Sequence, residues 1–146
     1  MTIIAAVDRS KWAQTVLEEA RKLADLTGEE LHIVHVLTES EAADVEMDNV
    51  QKTGQAKGRD GIAEIAADIA LEATGASTDD FTSVGFIGDP ADEIVKYADK
   101  QNARYIVVGG RKRSPIGKAV FGSVAQSVLL NSECPVVVAP KTVEKQ

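Results

Sequence analysis

Short runs of β-branched residues alternate along this chain with amphipathic stretches of helix length, and this alternation constrains the fold more than any other feature. It is typical of parallel strands, because such strands need a long crossover between them. The predicted strands are residues 2–7, 31–37, 81–87, 105–108 and 136–139. Right-handed crossovers place helices on both faces, so we predict an α/β fold with a five-stranded, parallel, doubly wound sheet.

Helical periodicity fills the segments between these strands. The predicted helices are residues 10–26, 51–74, 90–102 and, starting at 120 or 123, a last helix to 131. Asp89 followed by Pro90 is a strong helix start, because the Asp side chain caps the first turn and proline fits into it. Residues 38–50 carry five acids and no Lys or Arg. They predict a solvated loop or a frayed helix, with a flap over a nearby site as the functional alternative.

Length, charge and cysteine content restrict the class of protein. The 146 residues correspond to one domain, which we expect to span 1–146. Sixteen Lys and Arg against 23 Asp and Glu give a net charge of −7, which argues against nucleic-acid and anionic-membrane partners. A single cysteine forms no internal disulfide, and neither a signal peptide nor a membrane-spanning run is evident. We therefore expect a soluble, cytoplasmic protein.

The site should lie beyond the carboxyl ends of the strands, where the strand order reverses. Residues 8–10 and 109–122 follow the first and fourth strands there. Residues 100–132 contain no Asp or Glu, and their basic residues include Arg111, Lys112 and Arg113. This positive field, the glycines beside it and the helix that starts after Gly122 together favour an anionic, phosphate-bearing ligand. The alternative is a solvated basic loop that only balances charge.

Several polar or aromatic residues have both a structural and a functional interpretation. Asp8 can cap the turn before the first helix, and it can equally bind ribose hydroxyls or hold Mg²⁺ through water. His32 and His35 are an odd number of residues apart on one strand and point to opposite faces, which predicts buried, hydrogen-bonded histidines rather than a metal pair. We interpret Cys134 as a structural thiol and Trp12 as a packing residue.

Known phosphate and catalytic motifs are absent from the expected places. The turn after the first strand lacks the glycines of the dinucleotide-binding fingerprint, and Gly117-Lys118 is followed by Ala119, so it is not a P-loop. No Ser/His/Asp or Cys/His arrangement is evident at the strand ends, which leaves acyl-transfer chemistry without support.

Four segments nevertheless resemble one known family. They are Val7-Asp8-Arg9-Ser10, His35-Val36, residues 107–124 (VVGGRKRSPIGKAVFGSV) and Cys134-Pro135-Val136-Val137-Val138. In order and spacing they are similar to the universal stress proteins. The most specific part is the glycine signature of that family: Gly-x-x-Gly, nine residues, then Gly-Ser/Thr.

The resemblance implies a Rossmann-like domain with strand order 3-2-1-4-5 that forms a homodimer through strand 136–139. It also implies an ATP site in the crevice described above. The base would lie near Ala6 and the backbone of Val36, and the ribose near Asp8. The residues implied at the phosphates are Gly109, Gly122, Ser123 and Val124.

The second glycine of the signature is replaced by Lys112 in this chain. If that position required a positive φ, Lys would cost roughly 1 kcal/mol, and its side chain could obstruct a phosphate. The charges of Arg111, Lys112 and Arg113 could instead replace a lost N–H contact. We therefore expect nucleotide binding to be retained.

Three functional hypotheses follow. The first is a homodimeric regulatory module that binds ATP, with Mg²⁺, and presents a surface to an unidentified protein partner. The second is an interaction protein of the same family that binds no nucleotide. The third is a slow ATPase or self-phosphorylating protein with Ser114 or Ser123 as acceptor, although no general base is identifiable.

Overall fold

The computed structural model describes residues 1–10, 12–75, 81–113 and 119–140, with the backbone alone for 111–113 and 119–120. Strands and helices alternate along these residues as predicted. In chain order the elements are β1 (Thr2–Ala6), α1 (Ala13–Thr27), β2 (Glu30–Leu37), α2 (Glu39–Thr53), α3 (Gly58–Thr74), β3 (Thr82–Ile87), α4 (Pro90–Lys100), β4 (Ala103–Arg113), β5 (Ala119–Val120), α5 (Ser123–Asn131) and β6 (Val136–Pro140).

Five of the strands form a parallel sheet in the order β3-β2-β1-β4-β6. Since β6 is the predicted fifth strand, the predicted order 3-2-1-4-5 is confirmed. The central strand is β1, where Ile4 pairs with His32 of β2 on one side and with Ile106 of β4 on the other. The two-residue β5 pairs antiparallel with the end of β4.

The sheet carries a hydrophobic core on each face, because successive strand residues point to opposite sides. Ile3, Ile33 and Val107 pack with residues of α1 and α3. The neighbouring strand positions, such as Ile4 and Ile106, pack with residues of α4 and α5. The predicted helices on both faces are therefore confirmed.

The acidic segment is more regular than predicted. Residues 38–50 are neither a loop nor a frayed helix but the start and body of α2, which begins with a complete capping box between Thr38 and Glu41. The predicted helix 51–74 is confirmed over residues 58–74, which form α3, but residues 51–53 belong to α2 and a turn separates the two helices. Gly54 ends α2 in the left-handed conformation, and Gly58, the first residue of α3, also has a positive φ, of 77°. Glycine adopts this conformation readily.

The basic segment also differs from its prediction. We expected the fourth strand to end at residue 108, but β4 continues to Arg113, and Lys112 pairs with Val120 of β5. Among the described residues, Asn102 alone combines a side chain with positive φ. Lys112 lies in β4 and does not have a positive φ. The strain that a positive φ would have caused at this lysine does not arise.

The start of α4 and the environment of Cys134 match their predictions. Asp89 Oδ2 accepts the backbone N–H of Asp92 at 3.0 Å, and Pro90 is the first residue of the helix. Cys134 packs against the core of the α4 face, and its Sγ lies 3.4 Å from Ser132 Oγ. In the part of the chain that the structure describes, no helix has the length and apolar character needed to cross a membrane.

Candidate functional site

A cavity of about 440 Å³ opens at the carboxyl ends of β1, β2 and β4. The chain passes from β1 outward to β2 and later returns to β4 on the other side, so this is where the strand order reverses. The volume lies within the range of roughly 300–1,000 Å³ that small-molecule sites occupy. The cavity thus occupies the crevice in which the sequence predicts a site.

Most of the predicted site residues border this cavity. They are Ala6, Asp8, Val36, Gly109, Gly122, Ser123 and Val124. The remaining three, Arg111, Lys112 and Arg113, lie at the end of β4, and their side chains are outside the described part of the structure. Residues that are far apart in the sequence are therefore brought together around one space.

The backbone of Val36 is directed toward this space. Successive residues of a parallel strand direct their N–H and C=O groups to opposite neighbours. The Val34 carbonyl accepts Val7 N–H at 2.9 Å, and the Leu37 carbonyl accepts Gly88 N–H at 2.9 Å on the other side. The N–H and C=O groups of Val36 therefore point to the same side of β2 as those of Val34, which is the side of β1. They lie past Ala6, the last residue of β1, so no strand residue of β1 stands opposite them. The donor and acceptor of Val36 form an edge that a planar heterocycle could pair with.

The inner wall of the cavity is apolar, and sequence reasoning missed most of it. Val34 and Val108 come from the strands, and Pro90 and Ile94 come from α4. The first two are nearly inaccessible, and Ile94 is 4% exposed. The sequence analysis recognised the helix start at Asp89-Pro90 directly after β3, but it did not connect that helix with the site at the same edge of the sheet.

Trp12 also borders the cavity, although we interpreted it as a packing residue. It precedes α1, its side chain is half-buried, and its backbone N–H is held by Ser10 Oγ at 3.2 Å. Val16, one helical turn further on, lines the same wall. This spacing of four residues was visible in the sequence and could have placed both side chains beside the turn at Asp8.

The start of α5 supplies backbone donors to the opposite side. Gly122 is the N-cap with φ −68° and no side-chain cap, and Ser123 and Val124 border the cavity. The first N–H groups of a helix have no partner within the helix, and its dipole favours negative charge there. This arrangement is suited to an anionic group such as phosphate.

Two glycines shape the floor between β4 and the helices. A Cβ atom on Gly109 would lie 2.8 Å from Val16 Cγ2, so the absence of a side chain lets α1 pack closely on β4. Gly110 has a φ of 133°, and the pairing of β4 with β6 shifts register between Gly109 and Arg111. Gly110 thus allows a bulge in β4, and this bulge lies next to Gly122 at the end of the strand.

Asp8 combines the structural interpretation with a position at the cavity. Its Oδ1 accepts the backbone N–H of Ser10 at 2.9 Å, which stabilises the turn into α1. The carboxylate is exposed and borders the cavity. Within the described ranges there is no group of three His, Cys, Asp or Glu residues that could hold a metal ion. Mg²⁺ needs only one or two carboxylates when phosphate oxygens complete its shell, so Asp8 fits that mode.

The two histidines are buried on opposite faces, as predicted. His32 Nδ1 lies 2.6 Å from Tyr97 Oη, and burial, followed by the nearby charge of Glu30, raises the pKa of Tyr97. His35 Nδ1 lies 2.8 Å from the Val7 carbonyl oxygen. Because that oxygen only accepts, Nδ1 carries the hydrogen, and the interaction ties β2 to the residue after β1.

Charged groups stand at the rim of the cavity. Glu41 borders it from the first turn of α2, where its Oε1 accepts Thr38 N–H at 3.0 Å. Arg9 is the one Lys or Arg among the described residues of the lining. The functional alternative for residues 38–50 expected this segment beside a site, and Thr38 and Glu41 border the cavity, although the capping box was not recognised in the sequence.

Comparison with known proteins identifies the family. The profile of the Universal stress protein family matches residues 1–140. The chain belongs to the universal stress protein family. A solved universal stress protein structure from Archaeoglobus fulgidus is 34% identical, with a TM-score of 0.63 and coverage of 94% of this chain and 97% of that one.

Two other universal stress proteins extend the comparison. The Archaeoglobus fulgidus universal stress protein in complex with dAMP is 28% identical, with a TM-score of 0.58 and coverage of 94% and 96%. A universal stress protein of Methanocaldococcus jannaschii is 43% identical over 54 residues, which are 37% of this chain and 32% of that protein. The matched segment thus spans about a third of the length of this curated relative.

Proposed function

We propose that this universal stress protein binds an adenine nucleotide, ATP in the first instance, and acts as a homodimeric regulatory module in the cytoplasm. One observation carries the proposal. A single cavity combines the outward-facing backbone of Val36, an apolar slot and the N-terminus of α5. These are the three surfaces that a base joined to a phosphate chain requires. The dAMP complex of a relative supports the same ligand class.

Each part of the cavity would hold a different part of the ligand. The base would lie against Ala6 and pair with the backbone of Val36. Asp8 would accept ribose hydroxyls, and Mg²⁺ would link its carboxylate to phosphate through water. The proposed phosphate contacts are the backbone of Gly109, the N–H groups of Gly122, Ser123 and Val124, the Ser123 hydroxyl, and the charges of Arg111, Lys112 and Arg113.

Dimerisation through β6 is the second part of the proposal. β6 pairs with β4 on one side, and no other described strand covers its outer edge. Val136, Val137 and Val138 are half-buried within the single chain. An unpaired edge strand of this kind can pair with a second copy of itself.

The decisive experiment asks whether the protein carries or binds nucleotide. Purified protein is denatured and the released molecule is identified by mass, and the emptied protein is then titrated calorimetrically with ATP and Mg²⁺. We expect bound adenine nucleotide or micromolar affinity. A protein that carries none and does not bind ATP at millimolar concentration would contradict the proposal.

Gly122→Asp tests the position of the phosphate. The substitution is sterically tolerable, because a Cβ on Gly122 meets no atom within 4 Å and φ is −68°. Asp and Asn are both favoured at an N-cap, so Gly122→Asn is a control of the same shape without the charge. We expect Gly122→Asp to bind ATP at least about tenfold more weakly than Gly122→Asn, because two negative groups would share one site. Equal affinities would place the phosphates elsewhere.

A further inference from the structure

Among the described residues, Arg9 is the one that borders two cavities at once. It lies in the turn between β1 and α1, and it is exposed. The first cavity is the candidate nucleotide site. The second, of about 460 Å³, is lined mainly by residues of α2 and α3. A long guanidinium side chain at this position can reach into either space.

Arg9 has no ion pair among the described residues, a property that it shares with Arg21, Lys57 and Lys100. Arg59 pairs with Glu39, and Arg104 pairs with Glu29 at 3.8 Å. A guanidinium has donors arranged to bind phosphate or carboxylate oxygens in pairs, so both kinds of group can attract it.

The second cavity also offers carboxylates. Asp44 and Asp48 of α2 line it. Asp48 is paired with Lys52 at 3.0 Å, whereas Asp44 has no ion pair among the described residues. Asp44 is therefore the carboxylate whose charge is least compensated. It borders the same space as Arg9.

We propose that Arg9 is an anion-binding residue of the nucleotide cavity and that Asp44 competes with the ligand phosphate for it. The inference rests on the proposed function for the identity of the ligand, but the anion contact itself does not require a base. When the guanidinium turns to a phosphate, it leaves the second cavity. When it turns to Asp44, the nucleotide cavity loses its described basic side chain. The acidic face of α2 thus lowers the affinity of the site.

The first test compares ligands with and without phosphate. Arg9→Gln is titrated with ATP, AMP, adenosine and inorganic tripolyphosphate, and Lys22→Gln is the control that removes one positive charge from the exposed side of α1. We expect Arg9→Gln to bind ATP about tenfold more weakly, with adenosine changed less than about twofold. Tripolyphosphate should lose affinity as ATP does, and Lys22→Gln should bind all four like the unaltered protein.

The second test measures the competition. Asp44→Asn should tighten ATP binding about threefold, and this gain should disappear when Arg9→Gln is also present. Asp25→Asn removes a negative charge from α1 outside both linings and should have no such effect. An equal gain with and without Arg9 would mean that Asp44 acts through the general field of the protein, and the proposed competition would be wrong.

The outcomes separate this inference from the proposed function. If the protein binds nucleotide and Arg9→Gln changes nothing, the inference is wrong and the proposed function stands. If the protein binds tripolyphosphate through Arg9 but does not bind adenosine, and binds ATP no more tightly than tripolyphosphate, the inference stands and the proposed function is wrong. If adenosine and ATP weaken equally in Arg9→Gln, the side chain contacts the nucleoside rather than the phosphate, which contradicts the inference. Absence of any binding, including tripolyphosphate, contradicts both.

Discussion

At the scale of single residues, the glycines of this protein have different structural roles. Gly109 and Gly85 lie where a helix packs against a strand, and a Cβ on either would contact atoms at 2.8 Å or less. Gly122 has open space around its α-carbon and stands at the cavity. A sequence signature treats all glycines alike, so it cannot separate a packing requirement from a ligand contact. Gly122 is therefore the informative position for studies of binding.

Gly85→Ala should destabilise the fold without touching the cavity. The added methyl would lie 2.1 Å from the Ala63 carbonyl oxygen and 2.5 Å from Ala67 N, so α3 must move away from β3. Overpacking of this kind costs typically 1–3 kcal/mol. Urea denaturation should show the loss in the free energy of unfolding. Gly122→Asn, which keeps a residue favoured at an N-cap, is the control and should stay within about 0.5 kcal/mol of the unaltered protein. An unchanged midpoint for Gly85→Ala would mean that this contact is absent in solution.

At the scale of elements, the acidic helix α2 is tied to the helix that follows it. The Glu46 carboxylate accepts the N–H groups of Lys57 and Gly58, each at 3.0 Å, and the side chain of Asn49 at 3.0 Å. These bonds, with the Lys57 backbone contact foremost, lower the pKa of Glu46 from its ordinary value of 4.5. Since α3 lacks a side-chain cap of its own, α2 provides it.

Glu46→Gln should weaken the fold in a pH-dependent way. A carboxyl group whose pKa is lower in the folded state stabilises that state above its unfolded pKa and ceases to do so as pH falls through the folded value. The urea midpoint of Glu46→Gln should therefore lie below that of the unaltered protein at pH 7. The two should converge as pH falls below about 4.5, the ordinary value. Glu64→Gln, on the exposed side of α3, is the control. A difference that persists unchanged at low pH would contradict this role.

At the scale of the whole molecule, hydrophobic periodicity predicted the parallel sheet and the crevice where the strand order reverses. It could do so because buried parallel strands leave an unbroken apolar run in the sequence. It failed for residues 38–50, where the acids suggested solvation although Thr38 and Glu41 cap a regular helix. It also failed beyond Val108, because the continuation of β4 depends on the pairing of Lys112 with Val120 of β5, which hydrophobic periodicity does not record. The cavity wall contributed by Ile94 likewise depends on packing that local sequence does not encode.

Assembly also belongs to this scale, and Val138→Pro tests it. The Pro135 carbonyl accepts Ile106 N–H at 3.1 Å, so residues 135 and 137 face β4 and Val138 directs its N–H to the outer edge of the sheet. Proline at position 138 removes an outward donor and leaves the ladder to β4 intact. We expect analytical ultracentrifugation to show a dimer for the unaltered protein and a monomer for Val138→Pro. Val138→Thr, which keeps the N–H, should remain dimeric. A variant dimer as stable as the original would place the interface elsewhere.

The outward-facing main chain at Val36 has a consequence for how this site tolerates change. A donor and an acceptor that belong to the peptide backbone are the same whatever side chain the codon specifies. Replacement of Val36 by another β-branched residue would leave the pair in place, and an alanine scan of the cavity would pass over it. Loss of recognition at this edge requires a proline or a shift of strand register. Its recognition of a base would therefore be inherited with the fold rather than with any one side chain.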